Sequence, residues 1–262
     1  MSKKEKNLRS ELKQKLKNRQ LIFGGWVSFS HPSITEIFSE INLDFMAIDI
    51  EHSTINFEQT QRIISSSQGL NVPCLPRPVS YSNDIIKPIL DSGADGLIIP
   101  TVNNKADVDQ IINNMKYPTI GKRTYGINRA QSYGFETNNY FESWNKTSNL
   151  IVQIETKEGV ENIEEILSSS WVDGVMIGPY DLSGSYGKPG DLNHPDVINA
   201  SKTIVKYAQT HKKSCGTQIS DPNDENVKKL VDFGYNFIIL SSDLFILYNW
   251  AKQMDKIINK FS

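Results

Sequence analysis

The sequence predicts a single (β/α)8 barrel of α/β class, and three observations carry that reading. Short aliphatic or aromatic runs alternate with amphipathic stretches, eight of each. The chain is 262 residues long, within the range such a barrel occupies as one unit. One phrase recurs at four helix-to-strand joints: Asn42-Leu-Asp44, Gly93-Ala-Asp95, Trp171-Val-Asp173 and Gly234-Tyr-Asn236.

Residues 1–20 are Lys-rich and polar, with no apolar signal core behind them. They read as an N-terminal helical extension, with a helix at Leu8–Asn18 over a frayed tip, and the barrel occupies 21–262. Ile22–Phe29 and Phe45–Ile50 have strand length and an apolar core, with the amphipathic Ser33–Ile41 between them. Phe57–Ser66 then leads to Val72–Pro76, and Asn83–Asp91 leads to Gly96–Ile99. Lys105–Met115 precedes Leu150–Ile154, and Lys157–Leu167 precedes Gly174–Ile177. Pro195–Thr210, Ser214–Ile219, Asn223–Phe233, Phe237–Leu240 and the final helix Leu244–Lys260 complete the alternation. At the four echoing joints a turn reverses the chain and Asp or Asn precedes a buried strand, one solution reused at the barrel's bottom. Their irregular spacing excludes a solenoid.

Two connections break the rhythm. Residues 116–149 hold Gly121-Lys-Arg123 and a cluster of aromatics, with a short helix expected at Asn138–Trp144. Residues 181–194 are Gly-rich and closed by Pro195. Both are expected near the strand ends where barrel active sites are built. Hydrophobic content of 38% against 22% charged residues supports a large core. A net charge of −2 leaves no footprint for nucleic acid or an anionic membrane, and no apolar run has transmembrane length. The only cysteines, Cys74 and Cys215, lie in separate apolar segments and read as reduced core residues of a cytoplasmic protein.

Catalytic groups of a barrel come from the carboxyl ends of several strands. Reading past each run gives Asp49, Glu51 and His52 after the second strand and Arg77 after the third. Pro100-Thr101 follows the fourth, Gln153 and Glu155 the fifth, and Gly178-Pro179-Tyr180-Asp181 the sixth. Glu155 and Asp181, on neighbouring strands, would face one cavity and repel unless a proton or a cation joins them. All-oxygen ligands suit Mg²⁺ or Mn²⁺; otherwise each carboxylate simply caps its following helix, Asp181 at a plausible N-cap. Arg77 between prolines would receive an anionic substrate or a developing oxyanion, or else pair with Glu51 or Glu155. His52, with a ring nitrogen oriented by Asp49, reads as a general base, or else as hydrogen-bonded scaffold. Dinucleotide and phosphate-loop glycine motifs, zinc-spaced Cys/His and strand-core lysines are all missing.

These residues in this order resemble the HpcH/HpaI aldolase family over residues 23–254. The resemblance is carried by Asp49-Ile-Glu51-His52, Arg77-Pro78-Val79, Gly121-Lys-Arg123, Val152-Gln153-Ile-Glu155 and Gly178-Pro179-Tyr180-Asp181, with Asn193-His194-Pro195 and Ser242-Asp243-Leu244 further along. It implies a class II aldolase that cleaves a 4-hydroxy-2-keto acid to pyruvate and an aldehyde with Mg²⁺, Mn²⁺ or Co²⁺. Glu155 and Asp181 would bind the metal, and Arg77, with Gln153 nearby, would hold the pyruvyl oxygens. His52, steered by Asp49, would move the proton of the aldehyde-side hydroxyl. Backbone amides at Gly178, Tyr180 and Asp181 would receive the substrate carboxylate, Pro179 having none.

The chain departs from the family pattern at Ile50, at Thr124-Tyr125 and at Tyr180, three changes expected to alter pocket walls. The rival readings are a citrate-lyase-like acyl-CoA ester lyase on the same barrel and a non-catalytic ligand-binding barrel. The first lacks an added basic surface for nucleotide phosphates; the second would need the Tyr180 ring to block the carboxylate pocket. The apolar surplus on Leu244–Lys260 suggests a homo-oligomer, and the resemblance implies a hexamer that exchanges this helix.

Overall fold

Alternation along the strands sorts side chains into two cores. The computed structural model describes residues 7–261. Phe45 and Ala47 of β2 (Phe45–Asp49) enter an inner cluster with Trp26 of β1 (Ile22–Val27) and Leu75 of β3 (Cys74–Arg77). Ile98 of β4 (Gly96–Ile99), Ile151 of β5 (Asn149–Ile154), Met176 of β6 (Gly174–Ile177) and Phe237 of β8 (Phe237–Leu240) complete that layer. Met46, Ile48, Leu97, Val152 and, from β7 (Ser214–Ile219), Cys215 face outward into a larger cluster beneath the helices. Burial on both faces is why the strands read as apolar runs without polar alternation. Residues two apart share a face, so the parity that places Phe45, Leu75 and Ile151 inside also turns Asp49, Arg77 and Gln153 inward.

Every laddered pair is parallel, in the order β3-β2-β1-β8-β7-β6-β5-β4. The remaining seam, β3 against β4, is held at its base by Asp95, whose N–H donates to the Cys74 carbonyl at 2.9 Å. Its carboxylate accepts the Cys74 N–H at 2.9 Å in return. The same device explains the recurring phrase. Asp44 accepts the Phe23 N–H (2.8 Å), Asp173 the Leu150 N–H (2.9 Å) and Asn236 the Cys215 N–H (2.8 Å). Each residue before an even-numbered strand thus staples the odd-numbered strand before it, and each returns its own N–H to that strand. The left-handed turn is less general: only Gly93 (φ 99°) and Gly234 (φ 113°) use it at these joints.

The barrel floor is closed from below. Leu12 and Leu16 of α1 (Leu8–Lys17) belong to the inner cluster, and Lys13 bridges to Asp173 at 2.7 Å. The frayed tip expected before residue 7 lies outside the described residues. Inside the barrel, Gly24 and Gly216 make room for two rings: a Cβ on Gly24 would lie 2.4 Å from the Phe45 ring. One on Gly216 would lie 2.1 Å from the Phe237 carbonyl.

The outer layer comprises α2 (Pro32–Ser39), α3 (Phe57–Gly69), α4 (Asn83–Asp91), α5 (Lys105–Met115), α6 (Thr137–Thr147), α7 (Lys157–Glu161) and α8 (Ile163–Ser168). It continues with α9 (Pro179–Ser185), α10 (Pro195–Thr210), α11 (Asp224–Phe233) and α12 (Asp243–Phe261). The single helix expected over Lys157–Leu167 is broken at Asn162, whose side chain leaves the helical pattern to donate to the Asn103 carbonyl at 2.9 Å.

The connection at 116–149 also departs from expectation. It joins a helix to a strand, so it must arrive at the strand's amino end, and its anchored residues pack at the barrel floor rather than the mouth. Arg9 of α1 lies over the Tyr140 and Trp144 rings, at 4.9 and 5.4 Å. Arg123, fully buried, pairs with Asp91 at 2.7 Å and stacks on Tyr117 and Trp144, each at 4.7 Å. α12 leaves the barrel after its first residue: Asp243 is buried, receiving the N–H groups of Ser28 and Phe29, while Trp250 is 59% exposed. Among the described residues, no helix is long and apolar enough to cross a membrane.

Candidate active site

β2 and β3 end side by side, with Asp49 in register with Arg77. The Asp49 carboxylate accepts from the Arg77 guanidinium at 2.9 Å. The Arg77 guanidinium lies 4.6 Å over the Trp26 ring, and its Nε sits 3.2 Å from Glu51 Oε2 without hydrogen-bond alignment. A guanidinium held by two carboxylates and an aromatic face has one available position. Across the mouth, Arg77 donates to Gln153 Oε1 at 3.4 Å, and Gln153 Nε2 donates to Glu155 Oε2. Glu155 Oε1 accepts both the backbone N–H and the hydroxyl of Thr101, at 2.8 and 2.7 Å. One polar chain therefore runs from Trp26 and Arg77 through Gln153 to Glu155 and Thr101.

This chain ends at a cavity of about 270 Å³ lined by Glu51, His52, Thr101, Glu155, Thr156, Asp181 and Ser185. Asp181 comes from the third residue of α9, with Gly178 as N-cap, so the capping role considered for Asp181 falls away. Among the described residues, no hydrogen bond or ion pair engages its carboxylate. Gly178 gives no side-chain cap, which leaves the first-turn amides of Tyr180 and Asp181 open, and Pro179 opens the helix. A Cβ on Gly178 would fall 2.7 Å from Glu155 Oε2 and 2.9 Å from Gln153 Nε2. The backbone must come this close to Glu155, and only glycine permits it.

His52 lines this cavity, but its contact with Asp49 differs from the one expected. Asp49 Oδ1 binds the backbone N–H of His52 at 3.0 Å, not its ring. The reason is local: three residues after a strand end, the chain turns back on itself, and the short Asp side chain reaches the amide before the imidazole. The ring instead faces Glu51, Nε2 to Oε2 at 3.6 Å, with the His52 side chain 66% exposed. Burial holds the Glu51 carboxyl above its ordinary range; Arg77 and His52 oppose the effect, while Glu155 and Asp49 add to it. Glu51 is the residue joining Arg77 to His52.

The three departures from the family pattern all lie off this cavity. Ile50 turns outward into the cluster under the helices, and Tyr125 stacks on Tyr117 at 4.9 Å. Tyr180 is 68% exposed and does not line the cavity, so its ring does not block it. Sequence reasoning missed Trp26, which reads as one more core aromatic; only its inward parity one position before the strand end hints otherwise. Thr101 was visible at a strand end but had no chemistry of its own to recommend it.

A (β/α)8 barrel with a guanidinium, an imidazole and carboxylates gathered at its mouth is the frame of an enzyme that stabilises oxyanions. The chain belongs to the HpcH/HpaI aldolase/citrate lyase family, whose profile matches residues 23–249. It is a carbon–carbon lyase of the aldolase class. It is 29% identical to a 5-keto-4-deoxy-D-glucarate aldolase of Escherichia coli, over 94% of this chain and 95% of that one. A solved family protein from Burkholderia cenocepacia superposes with a TM-score of 0.88 at 25% identity, covering 95% of this chain and 99% of its own. The citrate synthase SbnG superposes at 0.83 and 25% identity, covering 95% and 97%.

Family membership implies a divalent cation, and the residues fit one. Among the described residues no group of three or more His, Cys, Asp or Glu forms a ready-made cage. Glu155 and Asp181 instead bring two carboxylates to one cavity, the Asp181 carboxylate having no partner among the described residues. Few protein oxygens with room for water suit a small octahedral ion of the Mg²⁺ type.

Proposed function

We propose that this enzyme cleaves a 4-hydroxy-2-keto acid into pyruvate and an aldehyde, or joins the two in reverse. The observation that carries the reading is the polar chain Arg77–Gln153–Glu155 meeting His52 and Asp181 at one barrel mouth. Glu155 and Asp181 would hold Mg²⁺, Mn²⁺ or Co²⁺, which when bound supplies positive charge to the pyruvyl oxygens as negative charge builds there.

The protein's own groups do the rest. Arg77 spends two hydrogen bonds on Asp49 and Gln153, and its remaining N–H donors meet the enolate oxygen. His52 accepts the proton of the hydroxyl on C4; the C3–C4 bond breaks, and its electron pair passes into the enolate. A proton delivered to C3 completes pyruvate. Glu51 steadies the His52 ring from Nε2, while Asp49 sets the backbone that carries it. Backbone amides at Tyr180 and Asp181, behind Gly178 and Pro179, take the substrate carboxylate. The sugar-acid substrate named for the Escherichia coli relative makes keto-deoxy sugar acids the first class to try.

The test is pyruvate release from a panel of 4-hydroxy-2-keto acids with Mg²⁺, Mn²⁺ or Co²⁺, repeated after chelation. Release that chelator abolishes is the expected result. Release that survives chelation sinks the metal assignment, and no release with any metal sinks the aldolase reading.

The same proposal includes a homo-oligomer of hexameric type. Its support is α12, which carries Leu247, Tyr248 and Trp250 half-exposed or more and buries only Asp243 in its own chain. Light scattering on the full chain decides it; a monomer would refute it. The buried free thiols of Cys74 and Cys215 suit the reducing cytoplasm.

A further inference from the structure

Thr101 stands out twice at the barrel mouth. Its backbone is left-handed, with φ 51°, a conformation β-branched residues rarely adopt. Strain of this kind persists only where surrounding structure enforces it, and it gathers at functional sites. Its amide N–H and hydroxyl also converge on a single atom, Glu155 Oε1, at 2.8 and 2.7 Å. From this left-handed backbone both donors of one residue reach one oxygen.

A carboxylate oxygen has two lone pairs, so Thr101 saturates Oε1. Among the described residues Oε2 receives one hydrogen bond, from Gln153, and keeps one lone pair. Oε2 is also the oxygen beside Gly178, on the side of the element that carries Asp181. Glu155 therefore has one coordination place to offer, on one oxygen.

We propose that Thr101 is a positioning residue that restricts Glu155 to one-oxygen ligation and so selects the cation. The inference rests on the reading of Glu155 and Asp181 as the metal site. A large ion such as Ca²⁺ takes six to eight oxygens and gains from a carboxylate gripping with both. A small octahedral ion such as Mg²⁺ or Mn²⁺ needs one oxygen per carboxylate and keeps its waters. Saturating Oε1 therefore disfavours Ca²⁺. Removing the hydroxyl returns a lone pair to Oε1 and opens two-oxygen ligation.

The test is calorimetric titration of the full-length protein with Mn²⁺, Mg²⁺ and Ca²⁺, for wild type, Thr101→Val, Thr101→Ser and Thr101→Gly. Wild type is expected to prefer Mg²⁺ over Ca²⁺. In Thr101→Val the ratio of the two dissociation constants shifts toward Ca²⁺ by about tenfold, the lower end of what removal of a ligand's supporting hydrogen bond does. Thr101→Ser keeps the hydroxyl and should keep the wild-type ratio. Thr101→Gly relieves the backbone strain; it should melt no lower than wild type and show the same shift as Thr101→Val, which guards against a folding defect. Wild-type binding with an unchanged ratio in Thr101→Val and Thr101→Gly overturns the role of Thr101 and leaves the metal site standing. A wild-type protein that binds none of the three cations overturns both.

Discussion

At the amino end of the barrel, Asp44, Asp95, Asp173 and Asn236 each exchange hydrogen bonds with the preceding strand, and Lys13 and Lys15 of α1 cover two of the carboxylates. At the carboxyl end, Asp181 has no partner among the described residues, Glu51 Oε2 and Arg77 Nε approach without a proper hydrogen bond, and Thr101 is held in a left-handed backbone. The strands are the same; the treatment of their polar groups is opposite. Reciprocal satisfaction at the floor makes stability, because an unmet buried group there would cost free energy with nothing to offset it. Incomplete satisfaction at the mouth leaves donors and acceptors for a ligand.

The contrast can be broken most sharply at Glu155. Glu155→Ala should abolish cation binding in titration and lower turnover by about 10³-fold or more, the scale of several kcal/mol of charge stabilisation. Retained binding would move the metal site elsewhere. His52→Asn comes next: the proposed proton carrier is lost, and kcat should fall on the order of 10²-fold or more, with the urea midpoint unchanged because the side chain is largely exposed. A drop in midpoint comparable to that of a floor variant would make His52 scaffold.

Asp173→Ala is the mirror experiment. It strips Lys13 of its carboxylate and the Leu150 N–H of its acceptor, and should cost about 2–4 kcal/mol of stability in denaturant titration. Once folded, the variant should turn over normally; a large loss of kcat would erase the division between floor and mouth. The smallest effect is a pH dependence at the same floor. Burial lowers the Lys116 ammonium to about 7, Lys13 adding to the effect and Asp173 opposing it. Between about 7 and the ordinary lysine value of 10.5, the unfolded chain binds the proton that the native state has released. Stability from this residue therefore rises with pH across that window and is lowest below it. Lys213, also lowered by burial, acts in the same direction, so the comparison must be between variants. Lys116→Met should gain on wild type at pH 6 and show a flatter pH slope; parallel slopes would refute the assignment.

Much of this was legible in the linear chain. Strand-length apolar runs and amphipathic intervals dictate the barrel, because only a parallel sheet wrapped by helices buries strands on both faces. Motif order at strand ends dictates which residues reach the mouth: Arg77, Gln153 and Glu155 follow from parity and chain direction alone, whereas Asp181 reaches it from the first turn of α9. Less legible was who touches whom. Asp49 binds the His52 amide and the Arg77 guanidinium, not the imidazole; Ile50 turns away from the pocket; the 116–149 connection docks at the floor. These depend on backbone turns a few residues long and on which strand lies alongside, quantities that neither composition nor spacing encodes.

The sequence by itself determined the eightfold alternation, the inward set of polar residues and the family to which they belong. The tertiary structure decided how those residues share their hydrogen bonds. Lone pairs on Glu155 are divided among Thr101 and Gln153 by residues 54 and 2 positions away along the chain. Such a division exists only once the strands are side by side, because a carboxylate's partners are set by distance in space.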